Sequence, residues 1–328
     1  MQKNLFIRLA GISSCVTVLL AMLGCQGTSA RRAVHPADMN TWPMLIADYQ
    51  PWFGDHNHID VGYNSQDPAV LQRQIDQAKS MGIGAFIVDW YGDRQPFLDK
   101  SYALLQKLAS QNGFKVALMY DETHLDTEPA TQDAIAAFDK AYRDYIQPGA
   151  AGRDAYLTYN SRPLIFIFPK GGHTDWNRVK KHVSSWDSPP LLIYENDSPR
   201  FADAMDGFYA WVRPSKQFAH DGSDWGSDYL NSFYRRMQTQ YPDKIAVGGA
   251  WPGFDDSGAS WGLNRHIARR CGRTMSDTVR LFRSYYNDSN PLPFLIIATW
   301  NDYEEGTAIE RGISDCGATT SSSHSAGK

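Results

Sequence analysis

Eight short apolar runs recur along the chain with amphipathic segments between most of them, and this alternation constrains the fold more than any single motif. The runs cover 44–49, 84–90, 115–120, 164–168, 191–194, 207–211, 245–250 and 294–300. Each has the length of a strand, and several have the continuous apolar character of a strand covered on both faces. The intervening segments carry helix start signals, for instance Asp67-Pro68 ahead of 69–80 and Ser276-Asp277 ahead of 278–286. Strand and helix in alternation imply a parallel sheet. A short segment, 156–159, joined to 164–168 through Asn160-Ser161-Arg162-Pro163, reads as a hairpin leading into the fourth strand.

A doubly wound sheet alternates in the same way, so the strand ends decide between the two architectures. No Gly-rich phosphate loop follows the first run. Instead nearly every run ends in polar or aromatic groups: Tyr49 and Trp52; Asp89, Trp90 and Tyr91; Tyr120, Asp121 and Glu122; Lys170 and His173; Glu195 and Asn196; Trp211 and Arg213; Trp251; then Trp300, Asn301 and Asp302. Functional groups gathered at the carboxyl ends of the strands are the mark of a barrel enzyme. The expected fold is therefore α/β, a single-domain (β/α)8 TIM barrel over residues 43–313. After Thr307 only 308–313 could form a last helix, so the wall is expected to be incomplete there or patched by residues near the N-terminus.

A chain of 328 residues, 42% hydrophobic and 21% charged, is long enough for one such domain with a sizeable core. The net charge of −4 offers no basic footprint for nucleic acid, and the local cluster Arg265, Arg269, Arg270 and Arg273 reads as a solvated helical face. Ahead of the barrel, Lys3 and Arg8 precede an apolar stretch, 9–23, too short for an ordinary spanning helix, which marks residues 1–24 as a signal peptide. Its end, Ala21-Met22-Leu23-Gly24-Cys25, resembles a bacterial lipoprotein lipobox. That resemblance implies lipidation at Cys25, a tether over 25–42, and an exported protein anchored in the cell envelope through lipid alone, on the outer membrane's periplasmic or surface face. The Ser-, Gly- and Ala-rich end, 314–328, is expected to be disordered. Cys271 and Cys316 then remain in the mature body, either as a disulfide or as two small unpaired hydrophobes.

The chemistry concentrates where the last run breaks into Trp300-Asn301-Asp302-Tyr303-Glu304-Glu305-Gly306-Thr307. Burying even one unpaired carboxylate costs several kcal/mol, on the order of 2–7 for a polar group and more for a charge, so a purely structural reason for three acids is hard to supply. Asp302 and Glu305, three apart on a turn, can point into one space, and glycoside cleavage needs two carboxyl groups. Asp89, Asp121, Glu122 and Glu195 can bind sugar hydroxyls or raise Glu305 by like-charge repulsion, although Asp89 reads equally well as a structural group beneath Trp90. The rings of Trp52, Trp90, Tyr91, Trp211, Trp251 and Trp300 offer faces for sugar stacking, with core packing as the alternative for each. Tyr49, Tyr120 and Asn301 join this substrate-binding set. His56 and His58, with Asp60 beside them, have a metal-ligand spacing, but no further His/Cys cluster completes a shell. Both are assigned to substrate, and no metal or cofactor is expected. There is no nucleophile elbow around a serine.

The stretch from Trp300 to Thr307 resembles the strand-eight signature of glycoside hydrolase family 99, the endo-α-mannosidases, and is similar to that of family 71, the α-1,3-glucanases. Tyr49-x-Pro51-Trp52, the run from Gly82 to Gly92, and Tyr120-Asp121-Glu122 look like the same group's first three strand ends. The resemblance implies a carbohydrate-cleaving barrel, monomeric, acting on α-mannan- or α-glucan-type linkages, with Glu305 as general acid/base. Asp302 takes the place of the carboxylate proposed for family 99 to deprotonate the sugar 2-hydroxyl, on the way to an epoxide. Family 99 has Glu there; the shorter Asp302 leaves direct water activation with inversion open. Glu304 is expected to point away, either supporting its neighbours from behind or forming a salt bridge. Two other readings stand beside this one: a surface glycan-binding lipoprotein without turnover, and an enzyme that trims the cell's own exopolysaccharide.

Overall fold

The computed structural model describes residues 43–313 except 123, 125, 172 and 215–223. All eight expected strands are present: β1 (Met44–Tyr49), β2 (Ile83–Trp90), β3 (Lys115–Asp121), β4 (Arg162–Phe168), β5 (Leu191–Glu195), β6 (Gly207–Tyr209), β7 (Ile245–Ala250) and β8 (Phe294–Ile297). They pair in parallel in the order β3-β2-β1-β8-β7-β6-β5-β4, and a further parallel pairing of β3 with β4 closes the sheet into a barrel. Six helices pack around it among the described residues: α1 (Pro68–Ser80), α2 (Pro96–Gln111), α3 (Thr127–Ala141), α4 (Trp176–Val183), α5 (Ser227–Thr239) and α6 (Arg273–Tyr285).

Local chemistry explains these boundaries. Asp67 caps α1 by accepting from the Ala69 N–H, with Pro68 in the first turn, and the helix buries Val70, Leu71, Gln74, Ile75 and Ala78 on one face against the sheet. The start expected for α6 is corrected. The helix begins three residues before Ser276, behind Gly272 in a left-handed conformation, and Asp277 instead receives Arg270 at 2.7 Å and Arg280 at 2.6 Å. In the hairpin, Thr158 and Tyr159 pair antiparallel with Pro163 and Arg162. Asn160 and Ser161, both at positive φ, make the whole turn, which leaves Arg162 and Pro163 inside β4.

The wall is incomplete in two places. Between β5 and β6 there is only a 3₁₀ turn, Pro199–Phe201, and no described helix follows β8. Where an eighth helix would lie, Pro43, Met81, Ile309 and Ile313 join Met275, Val279 and Phe282 of α6 around an apolar groove of about 210 Å³. Cys271 is disulfide-bonded, and the other three cysteines, Cys15, Cys25 and Cys316, lie outside the described residues. The expected signal segment, lipobox, tether and tail also fall outside them. Among the described residues no helix is long and apolar enough to cross a membrane.

Candidate active site

Side chains alternate across a strand, and this sorts the residues at the strand ends into two sets. At the end of β1, Tyr49 points out to α1, where its hydroxyl donates to Gln74 at 2.8 Å, while Asp48 and Gln50 point to the barrel mouth and are joined by Gln50 Nε2 donating to Asp48 Oδ2 at 2.7 Å. At the end of β2, Trp90 turns outward and donates to Asp99 on α2 at 3.0 Å, and Asp89 faces in. At the end of β3, Tyr120 lies edge-on to Phe138 and Trp176, and Asp121 faces in. Gln50, Asp89 and Asp121 line a cleft of about 300 Å³ with Trp52, His58, Tyr91, Phe168, Lys170, Trp211, Trp261, Asp302 and Glu305, and Asp48 lies buried beneath them.

The acidic turn after β8 is tied down from several sides. The Asp302 N–H donates to Thr299 Oγ1 at 2.8 Å, and the Glu305 N–H donates to Asp302 Oδ1 at 2.8 Å. The Asp302 carbonyl accepts from Thr307 and Ala308 at 3.1 and 3.0 Å. Gly306 sits at φ +64°, where a Cβ would lie 3.1 Å from the Asp255 nitrogen, so a side chain there would be strained and crowded. Arg269 forks over the turn's carbonyls, reaching Ala308 at 2.7 Å and Gly306 at 3.0 Å, with Gly312 and Ile313 at 3.3 Å. The reading of the arginine cluster as a solvated helical face is thereby corrected: Arg269 braces the turn, Arg265 holds Asp256 at 2.8 Å, and Arg270 holds Asp277.

Asn301 is fully buried and staples the first strand to the last, accepting from the Gln50 N–H at 2.7 Å and donating to the Gln50 carbonyl at 3.0 Å. It positions Gln50 without facing the cleft. Trp300 and Trp251 are likewise buried, the first packed at 5.2 Å on Phe86, the second donating to the Trp225 carbonyl. Glu122 accepts from the Lys170 N–H and braces that loop. His56 is exposed beside Asp55, whereas His58 stacks on Trp52 with ring centroids 4.4 Å apart and meets Glu304 Oε2 at 2.8 Å. The two imidazoles thus have different partners, and Glu304 points away from the cleft to meet His58. Among the described residues no group of three or more His, Cys, Asp or Glu is disposed to hold a metal ion. Of the expected substrate-facing set, the cleft gathers Trp52, His58, Asp89, Tyr91, Asp121 and Trp211; Tyr49, His56, Trp90, Tyr120, Glu122, Trp251, Trp300 and Asn301 lie elsewhere for the reasons given.

Sequence reasoning missed Asp48, Gln50, Phe168 and Trp261. Strict alternation from Tyr49 would have found Asp48. Trp261 lies on a loop without periodicity, and its indole N–H donates to Glu305 Oε1 at 3.0 Å.

Burial dominates the electrostatics. It lifts Asp302 well above the ordinary carboxylate range, with Glu305 adding to the effect; it also raises Glu305, against the donated bond from Trp261 and the charge of Arg265. Asp48 and Asp89 are raised well above that range by burial and by neighbouring carboxylates, and Asp121 is lifted to about 6 by burial in spite of Lys170 at 3.5 Å. Two carboxyls three residues apart, one buried and one partly buried, each raised by burial and each acting on the other, form a pair suited to acid–base work.

Beyond Glu305 the cleft continues into a second lobe of about 270 Å³, lined by Phe168, Glu195, Trp211, Arg213, Phe254, Leu263 and Arg265, with Glu305 shared between the two. Burial lifts Glu195 to about 7, against the pull of Arg213. A larger concavity, about 710 Å³, opens at the opposite end of the barrel around Lys244, Ile245 and Pro293, but Asp243 is the single acid lining it. Volume therefore does not select the site; the carboxylates do.

Residues 57–322 match glycosyl hydrolase family 99. Among curated proteins, the chain is 23% identical over 301 residues to a glycoprotein endo-alpha-1,2-mannosidase-like protein of Danio rerio, across 86% of this chain and 63% of that one. It is 24% identical over 277 residues to the protein of the same description in Homo sapiens, across 76% and 56%. The chain thus spans about six tenths of the length of these curated relatives. Among solved structures, it matches the family 99 endo-alpha-mannosidase of Bacteroides thetaiotaomicron in complex with bis-tris propane, with a TM-score of 0.61 and 19% identity, across 81% of this chain and 86% of that one. A glycoside hydrolase-like protein matches with a TM-score of 0.60 and 13% identity, across 86% and 90%. Both structures share the barrel.

Proposed function

The chain belongs to glycosyl hydrolase family 99, and on that premise we propose that it hydrolyses α-glycosidic bonds in a polysaccharide or glycan, with Asp302 and Glu305 as the working pair. The observation that carries this reading is the braced turn after β8, which holds both carboxyls in one cleft, where burial raises each of them from its ordinary value. Glu305 protonates the glycosidic oxygen as the bond to the anomeric carbon breaks. Asp302 takes the proton of the sugar 2-hydroxyl, whose oxygen closes on the anomeric carbon as an epoxide. Water then opens the ring, giving its proton to Glu305 while Asp302 returns its own to the 2-oxygen. Because no protein nucleophile is needed, the shorter Asp302 is tolerated. The mannosidase descriptions of the relatives favour an α-mannan, with an α-glucan as the other candidate. The proposed setting is the cell envelope of the producing cell, through a lipid on Cys25.

A glycan-binding protein without turnover would keep the cleft but not need the acid pair, and both carboxylates are in place. Glu305→Gln separates the two readings. General acid catalysis is worth roughly 10²–10⁴-fold, so hydrolysis of unactivated α-glycans should fall by that factor while glycan binding persists. Undiminished hydrolysis in the variant refutes the assignment.

A further inference from the structure

Glu305 stands between two lobes of different chemistry, and we propose that the lobe beyond it is a leaving-group subsite for a sugar unit bearing a carboxylate, so that the bond cleaved is one followed by a uronate. This deepens the reading of Asp302 and Glu305 given above and rests on it. A general acid stands on the leaving-group side of the bond that breaks, and the carboxylate acting on the 2-hydroxyl stands with the ring under attack. Asp302 lines the first lobe only, whereas Glu305 lines both. The attacked ring therefore occupies the first lobe and the departing unit enters the second.

The two lobes differ in what they ask of a ligand. The first is walled by Asp89, Asp121 and Asp302 against one cation, Lys170, already held 3.5 Å from Asp121. Gln50 Oε1 and Asp121 Oδ1 are buried there without a hydrogen-bond partner. That lobe accepts hydroxyl donors and offers an anion no cation that is not already engaged. The second carries two guanidinium groups. Arg265 is paired through its Nε with buried Asp256, which offsets its charge, and its guanidinium lies over the Phe254 ring, 5.1 Å from the centroid, so Arg213 is the cation left to a ligand. Arg213 lies over the Tyr229 ring, 5.6 Å from the centroid, and makes no ion pair among the described residues. The one other carboxyl of the lobe, Glu195, accepts a hydrogen bond from Asn196 Nδ2 and, held protonated up to about 7 by burial, does not cancel that charge in acid and near-neutral solution. Phe168 and Trp211 supply flat apolar walls beside it. A planar guanidinium pairs with a carboxylate through two parallel hydrogen bonds, and aromatic walls take a sugar ring, so a hexuronate satisfies both features where a neutral sugar satisfies one.

The full chain, titrated in ligand-observed NMR with D-glucuronate, its neutral methyl ester and inorganic sulfate, tests this. Glucuronate should bind about tenfold more tightly than the ester, the factor that about 1.4 kcal/mol represents. Arg213→Gln should erase that preference and Arg213→Lys restore only part of it. Equal binding of acid and ester, no binding of glucuronate, or equally effective competition by sulfate each overturns the proposal. Turnover separates its failure from that of the catalytic reading. Hydrolysis of neutral α-glycans without a preference for those carrying a uronate after the scissile bond retires the subsite and keeps the carboxylate pair. Glucuronate held through Arg213 by a chain that hydrolyses neither class retires the catalytic reading, and the leaving-group assignment with it.

Discussion

Replacing Arg269 with methionine keeps the aliphatic stem and removes the fork that holds the acidic turn. Two of its contacts, at 2.7 Å to the Ala308 carbonyl and 3.0 Å to the Gly306 carbonyl, have good hydrogen-bond lengths. The two at 3.3 Å, to Gly312 and Ile313, lie near the limit and add little. Hydrogen bonds involving a charged group contribute about 1.5–3 kcal/mol each, and Arg269 is only half-buried, so the lower figure applies and the loss should be about 3 kcal/mol. At roughly 2–4 °C per kcal/mol for a domain of this size, the midpoint of thermal unfolding followed by circular dichroism should fall by roughly 6–12 °C. The same change frees the segment that carries Glu305, and a misplacement on the order of 1 Å costs about 10²-fold in rate. At a temperature where the variant remains folded, kcat should therefore fall about tenfold to a hundredfold. Arg269→Lys should recover part of both, because the Gly306 and Ala308 carbonyls are reached by the one nitrogen Nη2, which an ammonium can replace if its shorter stem reaches that far, while the Nη1 contacts to Gly312 and Ile313 are lost. A methionine variant that unfolds within about 1 °C of the parent and turns over normally would show that the turn holds itself, and that the brace is incidental.

Three further outcomes follow from the placement of individual side chains. Asp48 has its folded pKa raised, first by burial and then by Asp89, Asp302 and Glu305, so its contribution to stability is full below the unfolded value of about 3.9 and is lost as pH rises through the folded value. Asp48→Asn should flatten that decline, so that urea unfolding across a pH series finds the variant gaining on the parent as pH rises from 4; a constant difference contradicts the burial of that carboxyl. Trp90→Phe and Tyr120→Phe should lower thermal stability and leave KM unchanged, whereas Trp52→Ala and Trp211→Ala should raise KM, and the reverse pattern would invert the assignment of faces. Cys25→Ser should shift the protein from the membrane fraction to the soluble fraction, and continued membrane association counts against the lipobox.

The barrel was legible because its strands are buried on both faces and must read as apolar runs, and β1 and β7 end where the hydropathy does. The turn from Trp300 to Thr307 was legible because acids at the end of an apolar run have few structural excuses. Facing was harder. Tyr49, Trp90 and Tyr120 stood at strand ends like Trp52 and Asp89, and only the period of two, applied residue by residue, separates the helix layer from the cleft. Arg269 and Trp261 were hidden for a different reason. Both lie on the long connection between β7 and α6, which has no period, and their partners, the Gly306 and Ala308 carbonyls and the Glu305 carboxyl, are about 40 residues further on. No local pattern records such pairings.

The staple between Asn301 and Gln50 joins residues 251 positions apart, and β8 slots between β1 and β7, with Phe294 to Ile297 in register with Met44 to Ala47. The chain emerges from synthesis N-terminus first, so the strand that carries the acid pair is the last to arrive. Seven strands can assemble an open sheet, but the first and last must meet before the working groups share one space, and pairings of such long sequence separation form late. A chain cut short before residue 294 lacks both Asp302 and Glu305. On the proposed reading, activity is a report on completion: only a finished, closed barrel brings Asp302 and Glu305 into one cleft with Asp89 and Asp121.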